Sequence, residues 1–401
     1  MRLSYRAVGK EGKQVTGLVE AKDISEAATY LRTRELLPIT ITKKEKSKLL
    51  EAIPFLKRSK TKDLVFFTRQ LSSMLTSGLT LIRALDILKQ QMQGIYLLEV
   101  MDGIITDIEG GSSFSSAIAK YPAMFSPIYV SIIKTAEESG LLDKALIRLA
   151  DNLEKQAKLR SSIRGALTYP VIVVFLMVAV VVVMMIFVIP QLSLLYENLN
   201  IPLPLPTQII VGMSKFVVIF WPLVIAFIVL MVVLYRRFAK SPSGRLILDD
   251  MVLKLPVFGK LIEQTILAEF SRTFGLLVGT GTLVVDALLQ TASSAGNVHY
   301  KSAIVDVSRK VEKGVTIGDA MSVSLLFPPL LVQLVRIGEQ TGKLDESLIK
   351  ASEYFESEVD QEVKTLTTAM EPIIMIVLGI GVAFLIVSVI TPIYSLISSI
   401  Q

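Results

Sequence analysis

Three long apolar runs limit what this 401-residue chain can become. The first, Val171 to Ile189, reads VIVVFLMVAVVVVMMIFVI and has no polar side chain. As a helix it reaches about 28 Å, close to the roughly 30 Å hydrocarbon core of a bilayer. The second is Phe216 to Tyr235, with a helix start expected near Ile209. The third is Ile373 to Ile390, with Ser388 its only clearly polar side chain. A core helix of a soluble domain keeps a polar face, and these runs have none. Three transmembrane helices are therefore expected. With 52% hydrophobic and 19% charged residues, the chain is too charged to lie wholly in a membrane. It is also less charged than the roughly 25% usual for soluble domains.

The basic residues orient the spans. Of the 42 Lys and Arg, 26 precede Val171, one (Lys215) lies between the first two runs, and 15 lie between the second and third. Lys and Arg are retained on the cytoplasmic side. The N-terminus and the segment 236–372 are thus expected inside, and the loop after the first span and the C-terminus outside. The first residues, MRLSYRAVGKEGK, hold no apolar stretch of the kind a cleavable secretory signal needs. No Asp, Glu, Lys, Arg or His lies within the three runs. Ion and solute pathways place such groups at membrane depth, so a transporter is the weaker reading.

The soluble parts repeat. At a shift of 203, Phe67 meets Phe270, Arg69 meets Arg272, Gly78 meets Gly281, and Gly111 meets Gly314. After one lost residue the shift is 202. Phe125 then meets Phe327, Glu137 meets Glu339, Gly140 meets Gly342, Asp143 meets Asp345, and Glu154 meets Glu356. The register continues into the membrane, where Pro170 meets Pro372 and Pro190 meets Pro392. The unit of duplication is a cytoplasmic body followed by one span. The second span is an unrepeated return helix. Leu64, Phe67, Leu71, Met74 and Leu75 recur at three- and four-residue steps, so the bodies read as helical. The turn at Gly140 to Asp143 and its copy at Gly342 to Asp345 predict antiparallel helix pairs. Gly is read there as the left-handed residue after a helix and Asp as the cap of the next.

The first 42 residues differ: strand, turn, strand, helix and strand, a small mixed domain. The expected order is a small α/β domain (1–42), a basic linker (43–62), a first helical bundle (63–169) and a first span (170–190). An external loop (191–208), a second span (209–235), a cytoplasmic linker (236–262), a second bundle (263–371) and a third span (372–397) follow. The fold class is mainly α, a polytopic membrane protein. The linker 43–62 carries eight Lys or Arg against two Glu. It reads as a solvated tether or as a segment drawn to anionic lipid. Nucleic acid is not expected as a partner, because no aromatic residues are interleaved with the basic ones.

Signs of catalysis are missing. There is no cysteine and one histidine, His299, which reads as a surface residue. No Gly-Lys pair stands in the spacing of an ATP-binding loop. The cluster Gly275 to Gly281 reads as close helix packing and a helix stop. No catalytic, cofactor-binding or metal residues are expected, and no cofactor. Glu137 and Glu339 have no evident turn role. They read as an intra-bundle ion pair, as a trace of duplication, or as docking carboxylates for a partner. Gly379 and Ala383 form a small-residue pair that would let another helix approach.

These residues together resemble one family. Tyr5-x-Ala7, Gly12, Gly17, Glu20-Ala21, Ala27 and Leu31 are similar to its leading domain. Leu205-Pro206-Thr207, Leu255-Pro256-Val257-Phe258-Gly259-Lys260, Glu339-Gln340-Thr341-Gly342-Lys343-Leu344, Glu371-Pro372 and Thr391-Pro392-Ile393-Tyr394 are similar to its loop, linker, turn and last span. The family is that of the inner-membrane platform proteins of type IV pilus and type II secretion machines (PilC and secretion F). The second copy has Gly338 where the first has Ala136, a departure between the two turns. The resemblance implies a non-enzymatic role at the base of a pilus or pseudopilus, in a bacterial inner membrane. It implies six-helix bodies, self-association, a cytoplasmic P-loop assembly ATPase as partner, and pilin or pseudopilin helices as cargo. Other inner-membrane assembly proteins and membrane lipid complete the expected partners. A membrane-anchored scaffold or signalling protein unrelated to pili is the alternative.

Overall fold

A computed structural model describes residues 2–8, 14–20, 23–33, 37–43, 61–199, 205–256 and 258–400. The chain divides into two compact units, residues 1–60 with 92–100, and residues 61–91 with 101–401. The basic linker lies almost wholly outside the described residues.

In the first unit, β1 (Arg2–Val8), β2 (Gln14–Glu20), α1 (Ile24–Thr33) and β3 (Leu37–Lys43) follow one another. The sheet order is β2-β1-β3, antiparallel throughout, with Tyr5 opposite both Gly17 and Ile41. The register of β3 slips where Arg6 faces Thr40 and Ala7 faces Pro38. Proline has no N–H to give to a ladder, and such slips are where it is tolerated. The Asp23 carboxylate accepts the Glu26 amide at 2.7 Å and caps α1.

The second unit is helical. Its first body runs through α2 (Thr61–Thr76), α3 (Leu81–Gln91), α4 (Ile95–Glu109, in this unit from Met101 on), α5 (Phe114–Ala119) and α6 (Pro127–Ser139) into α7 (Leu142–Val183). After a π-helical turn (Met184–Val188) come α8 (Ile189–Leu199), α9 (Leu205–Lys240) and α10 (Pro242–Lys254). The second body repeats the first as α11 (Phe258–Gly279), α12 (Val284–Ser294), α13 (Val298–Glu312), α14 (Ile317–Ser322), α15 (Pro329–Thr341) and α16 (Leu344–Ile400). The duplication extends to backbone angles. Gly78 and Gly281 have φ of 87° and 89°, Gly111 and Gly314 86° and 87°, Gly140 and Gly342 71° and 68°. Each ends a helix in a conformation that side chains with a Cβ resist. Phe67 and Phe125 pack with ring centres 5.5 Å apart, and Phe270 and Phe327 repeat the pair at 5.6 Å.

The last helix of each body runs straight into an apolar segment. α16 has 57 residues, a rod of about 86 Å at 1.5 Å per residue. Among the described residues two helices are long and apolar enough to cross a membrane, Leu142–Gln191 and Leu344–Phe384. α9, with 36 residues, turns Leu223, Ile225 and Phe227 outward, each more than half exposed.

Three expected boundaries move. The expected external loop 191–208 is helix up to Leu199 and again from Leu205. No Gly or Pro interrupts QLSLLYENL, and Pro206 falls in a first helical turn, where its missing N–H costs nothing. The return helix therefore starts at Leu205 rather than 209 and reaches Lys240 across a kink at Phe220 (φ −103°, ψ 17°), just ahead of Pro222. The expected linker 236–262 contains α10 and the start of α11. Ser241 makes the break, since its hydroxyl accepts the Gly244 amide at 3.0 Å and donates to the Phe238 carbonyl at 2.8 Å.

Candidate functional site

The two repeated turns are the residues that the sequence singled out, and both are built in the same way. Gly140 and Gly342 sit in the left-handed region at the ends of α6 and α15, their amides closing on Glu137 and Glu339 carbonyls. The carboxylates of the same glutamates reach elsewhere. Glu137 accepts the amides of Phe114 (2.6 Å) and Ser115 (3.0 Å) and the Ser115 hydroxyl (2.6 Å). Glu339 accepts the amides of Ile317 (3.0 Å) and Gly318 (3.3 Å). Each charge thus stands at the N-terminus of a six-residue helix, α5 or α14, beside the Ser113 or Thr316 cap, where the remaining orphan amides and the helix dipole favour an anion. Helices this short do not persist alone, so the glutamate ties each to the longer helix beside it.

The aspartates do not cap. α7 starts at Leu142 behind Leu141, which makes no side-chain cap, and Asp143 lies inside the first turn. Asp345 likewise follows Leu344, the first residue of α16. The helix begins one residue earlier than a capping Asp requires, so these charges act on the helix dipole. Asp345 has a second role, because its carboxylate lies 3.4 Å from Arg148 of the first body.

Arg148 opens the seam between the bodies. It donates to the Gly279 carbonyl at 2.8 Å. A Cβ on Gly279 would come 2.3 Å from its guanidinium, and one on Gly275 3.0 Å from Leu348, so the glycine cluster is a packing surface. Farther along, Lys155 pairs with Glu353 at 2.9 Å and Arg160 with Glu269 at 3.8 Å. A cleft of about 390 Å³ follows this seam, lined by Arg148, Asp151, Lys155, Lys158, Arg272 and Ser352. Most of these charges already have partners, which makes the cleft a joint between bodies more than a ligand pocket.

Inside each body an arginine clamps the first helix to the last. Arg69 grips both Glu154 oxygens at 2.6 Å and Asp151 at 2.6 Å. These hydrogen bonds hold the Glu154 carboxyl below the ordinary carboxylate range and push the Arg69 guanidinium up. In the second body Arg272 pairs with Glu356, which also accepts the Ser352 hydroxyl at 2.7 Å. The sequence repeat matched Arg69 with Arg272 and Glu154 with Glu356, but spacing alone did not pair them across more than eighty residues. Their recurrence at both ends of one clamp was the available signal.

A third cluster lies where the apolar helices meet. In the π-turn the Ile189 amide bonds the Met184 carbonyl five residues back. The next donor in line would serve Met185, but it belongs to Pro190, which has none. The Ser214 hydroxyl of α9 donates to that orphaned Met185 carbonyl. Met185, Ile189 and Val211 are buried around it, with Val181 and Phe384 packed against them. An unpaired backbone carbonyl in apolar surroundings costs several kcal/mol, so one serine ties α9 to the π-turn. On α16, Gly381 approaches Met177 of α7, whose sulfur lies 3.1 Å from where a Cβ would stand. Gly379 and Ala383 point elsewhere. Nothing lies within 4 Å of a Cβ at Gly379, and Ala383 is exposed. His299, expected at the surface, is half-buried in α13 with its Nε2 in no hydrogen bond.

The family model for type II secretion system protein F matches residues 67–190 and 270–392, each most of a body with the apolar helix that follows it. The model of that family's N-terminal domain matches residues 4–42. This chain belongs to the type II secretion system protein F family. It is 38% identical over 407 residues to a type IV pilus assembly protein PilC of Thermus thermophilus, covering 99% of this chain and 98% of the relative. A PilC of Myxococcus xanthus is 34% identical, covering 99% and 95%. A type II secretion system protein F of Xanthomonas campestris is 30% identical, covering 99% and 98%. The family resemblance read from the residues therefore holds over nearly the whole chain, and type IV pilus assembly and type II secretion are its two settings.

Proposed function

We propose that this chain is the non-enzymatic inner-membrane platform of a type IV pilus or type II secretion machine. In this reading α7, α9 and α16 cross the membrane, the N-terminus and both bodies face the cytoplasm, and the C-terminus lies outside. A cytoplasmic P-loop ATPase bears on the bodies, and pilin or pseudopilin helices move against the spans. The observation that carries the reading is mechanical. Each body ends in a helix that enters the apolar segment without a loop, so a push on a body reaches the membrane undamped. The seam from Arg148 to Arg160 ties the two bodies to each other. The open face of Gly379 and Ala383, turned away from the chain's own helices, suits a second copy or a pilin helix. Glu137 and Glu339 hold the bodies in shape, and any docking role for the turns falls to the surface around them.

Crosslinking tests the reading. A photoreactive residue at Ala383 should capture pilin or a second copy, and purified chain should change the hydrolysis rate of its ATPase. Deletion of the gene with pilus assembly and secretion intact would overturn it. Topology is tested separately by single cysteines. One at Asn198 should label from outside in whole cells and one at Lys350 should not.

A further inference from the structure

α10 leaves large apolar side chains exposed, although its Leu248, Val252 and Leu253 are half-buried. Some of its polar groups bond the body behind it. Arg245 donates to the Gly296 carbonyl at 3.3 Å, and the Asp249 carboxylate accepts the Val298 amide at 2.8 Å. Asn297 donates to the Asp249 carbonyl at 3.4 Å. Gly244 is buried, its missing Cβ leaving room for the Phe238 carbonyl of α9. These contacts fix α10 between the end of α9 and the start of α13. The large apolar side chains are on the other side: Leu246, Ile247 and Met251 are 45%, 53% and 56% exposed. Leu255 and Phe258, just beyond the helix, continue the strip at 45% and 39%. A water-facing helix would turn such large apolar side chains toward the body.

The position of the helix identifies what covers this strip. α9 ends at Lys240 and α10 begins at Pro242, with the change of direction at Ser241. From Tyr235, the last residue of the apolar run, to Pro242 the rise is about 10 Å. With α9 as a span, the start of α10 therefore stands at the level where a bilayer's hydrocarbon gives way to headgroups. Charge agrees: Arg236, Arg237, Lys240, Arg245 and Lys254 face two acids, Asp249 and Asp250. Asp249 is spent on α13, and Asp250 is paired with Lys254 at 2.6 Å. An exposed apolar strip beside a basic flank suits burial about 5–10 Å into the interface.

We propose that α10 is an interfacial helix that seats the second body on the cytoplasmic leaflet of an anionic membrane. This rests on the reading of α9 as a span. The anchor gives the body a fixed height and stops it from rolling about the axis of α16.

The absence of native cysteine makes the test direct. Nitroxide labels go singly on cysteines at Ile247, Met251, Phe227 and Lys350 in the full chain. The chain is reconstituted into vesicles of phosphatidylethanolamine and phosphatidylglycerol. Collisions with oxygen and with a water-soluble nickel chelate are then compared by electron paramagnetic resonance. The expected result has three depths: Phe227 deep in lipid, Ile247 and Met251 shallow in lipid, and Lys350 in water. Chelate access at Ile247 and Met251 with Phe227 still in lipid would overturn the interfacial helix and leave the span standing. Exclusion of both reagents at Ile247 and Met251 would also overturn it, assigning the strip to a second copy or another chain. Chelate access at Phe227 would sink the span and the interfacial helix together.

Discussion

The two bodies share one plan but spend their polar groups differently. In the first, the clamp is open to water, with the side chains of Arg69 and Glu154 34% and 45% exposed. In the second it is closed, with Arg272 only 6% exposed and Glu356 20%. The first core carries a polar bridge, the Tyr129 hydroxyl 3.1 Å from Thr68. The matching positions of the second are Ser271 and Leu331, and the buried Ser271 hydroxyl has no partner. The turns differ too. A Cβ on Gly338 would stand 2.9 Å from the Leu344 Cα, whereas the first copy accommodates Ala136. The second body also receives Arg148 at its turn. Duplication preserved the backbone and left each copy to its own surroundings. The second became the drier and tighter of the two.

The largest expected effect should fall on the clamps. Arg272→Ala leaves Glu356 nearly buried without its cation and should cost about 3 kcal/mol or more. Arg69→Ala removes an exposed pair and should cost about 1 kcal/mol or less. Thermal unfolding followed by circular dichroism in detergent measures both. Equal losses would break the contrast between wet and dry bodies.

Next comes the turn. Gly338→Ala forces the start of α16 away from α15 and should cost about 1–3 kcal/mol, whereas Ala136→Gly should cost about 1 kcal/mol or less. If both substitutions prove neutral by the same melts, the tighter turn is not a real difference.

The glutamates should behave alike. Glu137→Gln and Glu339→Gln each weaken a charge-assisted cap and should lose about 1 kcal/mol. Glu137 should be the more costly because it holds three donors against two. ATPase coupling should survive in both variants. Lost coupling with an unchanged melt would instead assign the carboxylates to docking.

Tyr129→Phe should cost about 1 kcal/mol or less, since Thr68 keeps its bond to the Leu64 carbonyl at 2.8 Å. The smallest effect is with pH. Glu154 is held below its ordinary value of 4.5 by Arg69. The stability it adds is present above that value and is lost as pH falls through the lowered one. Acid melts of wild type and Glu154→Gln should therefore differ fully above pH 4.5, close as pH falls below it, and converge only below the lowered value. Parallel curves would show that the exposed clamp adds nothing.

Much of this was legible in the chain. Apolar runs, glycine stops and the repeat shift gave the bodies, the two long span helices and the family. Each is a local or periodic pattern, written along the sequence by the geometry of one helix. Boundaries were less legible at 189–205 and 236–262, because helix continuation there depends on weak propensities. Asp143 and Asp345 were misread as caps for a related reason: a cap depends on where the first helical residue falls, and one residue changes the role.

The partners of charged side chains were not legible at all. Glu137 and Glu339 carried no local sign that their carboxylates reach helices more than twenty residues earlier. Arg148 gave no hint of Asp345, nor Ser214 of the carbonyl that Pro190 orphans. Sequence alone determined which segments become helices, which of them suit a bilayer, and that one unit was built twice. Only the tertiary structure decided which polar atoms meet, because a hydrogen bond is fixed by distances of about 3 Å between segments that the chain separates by tens of residues.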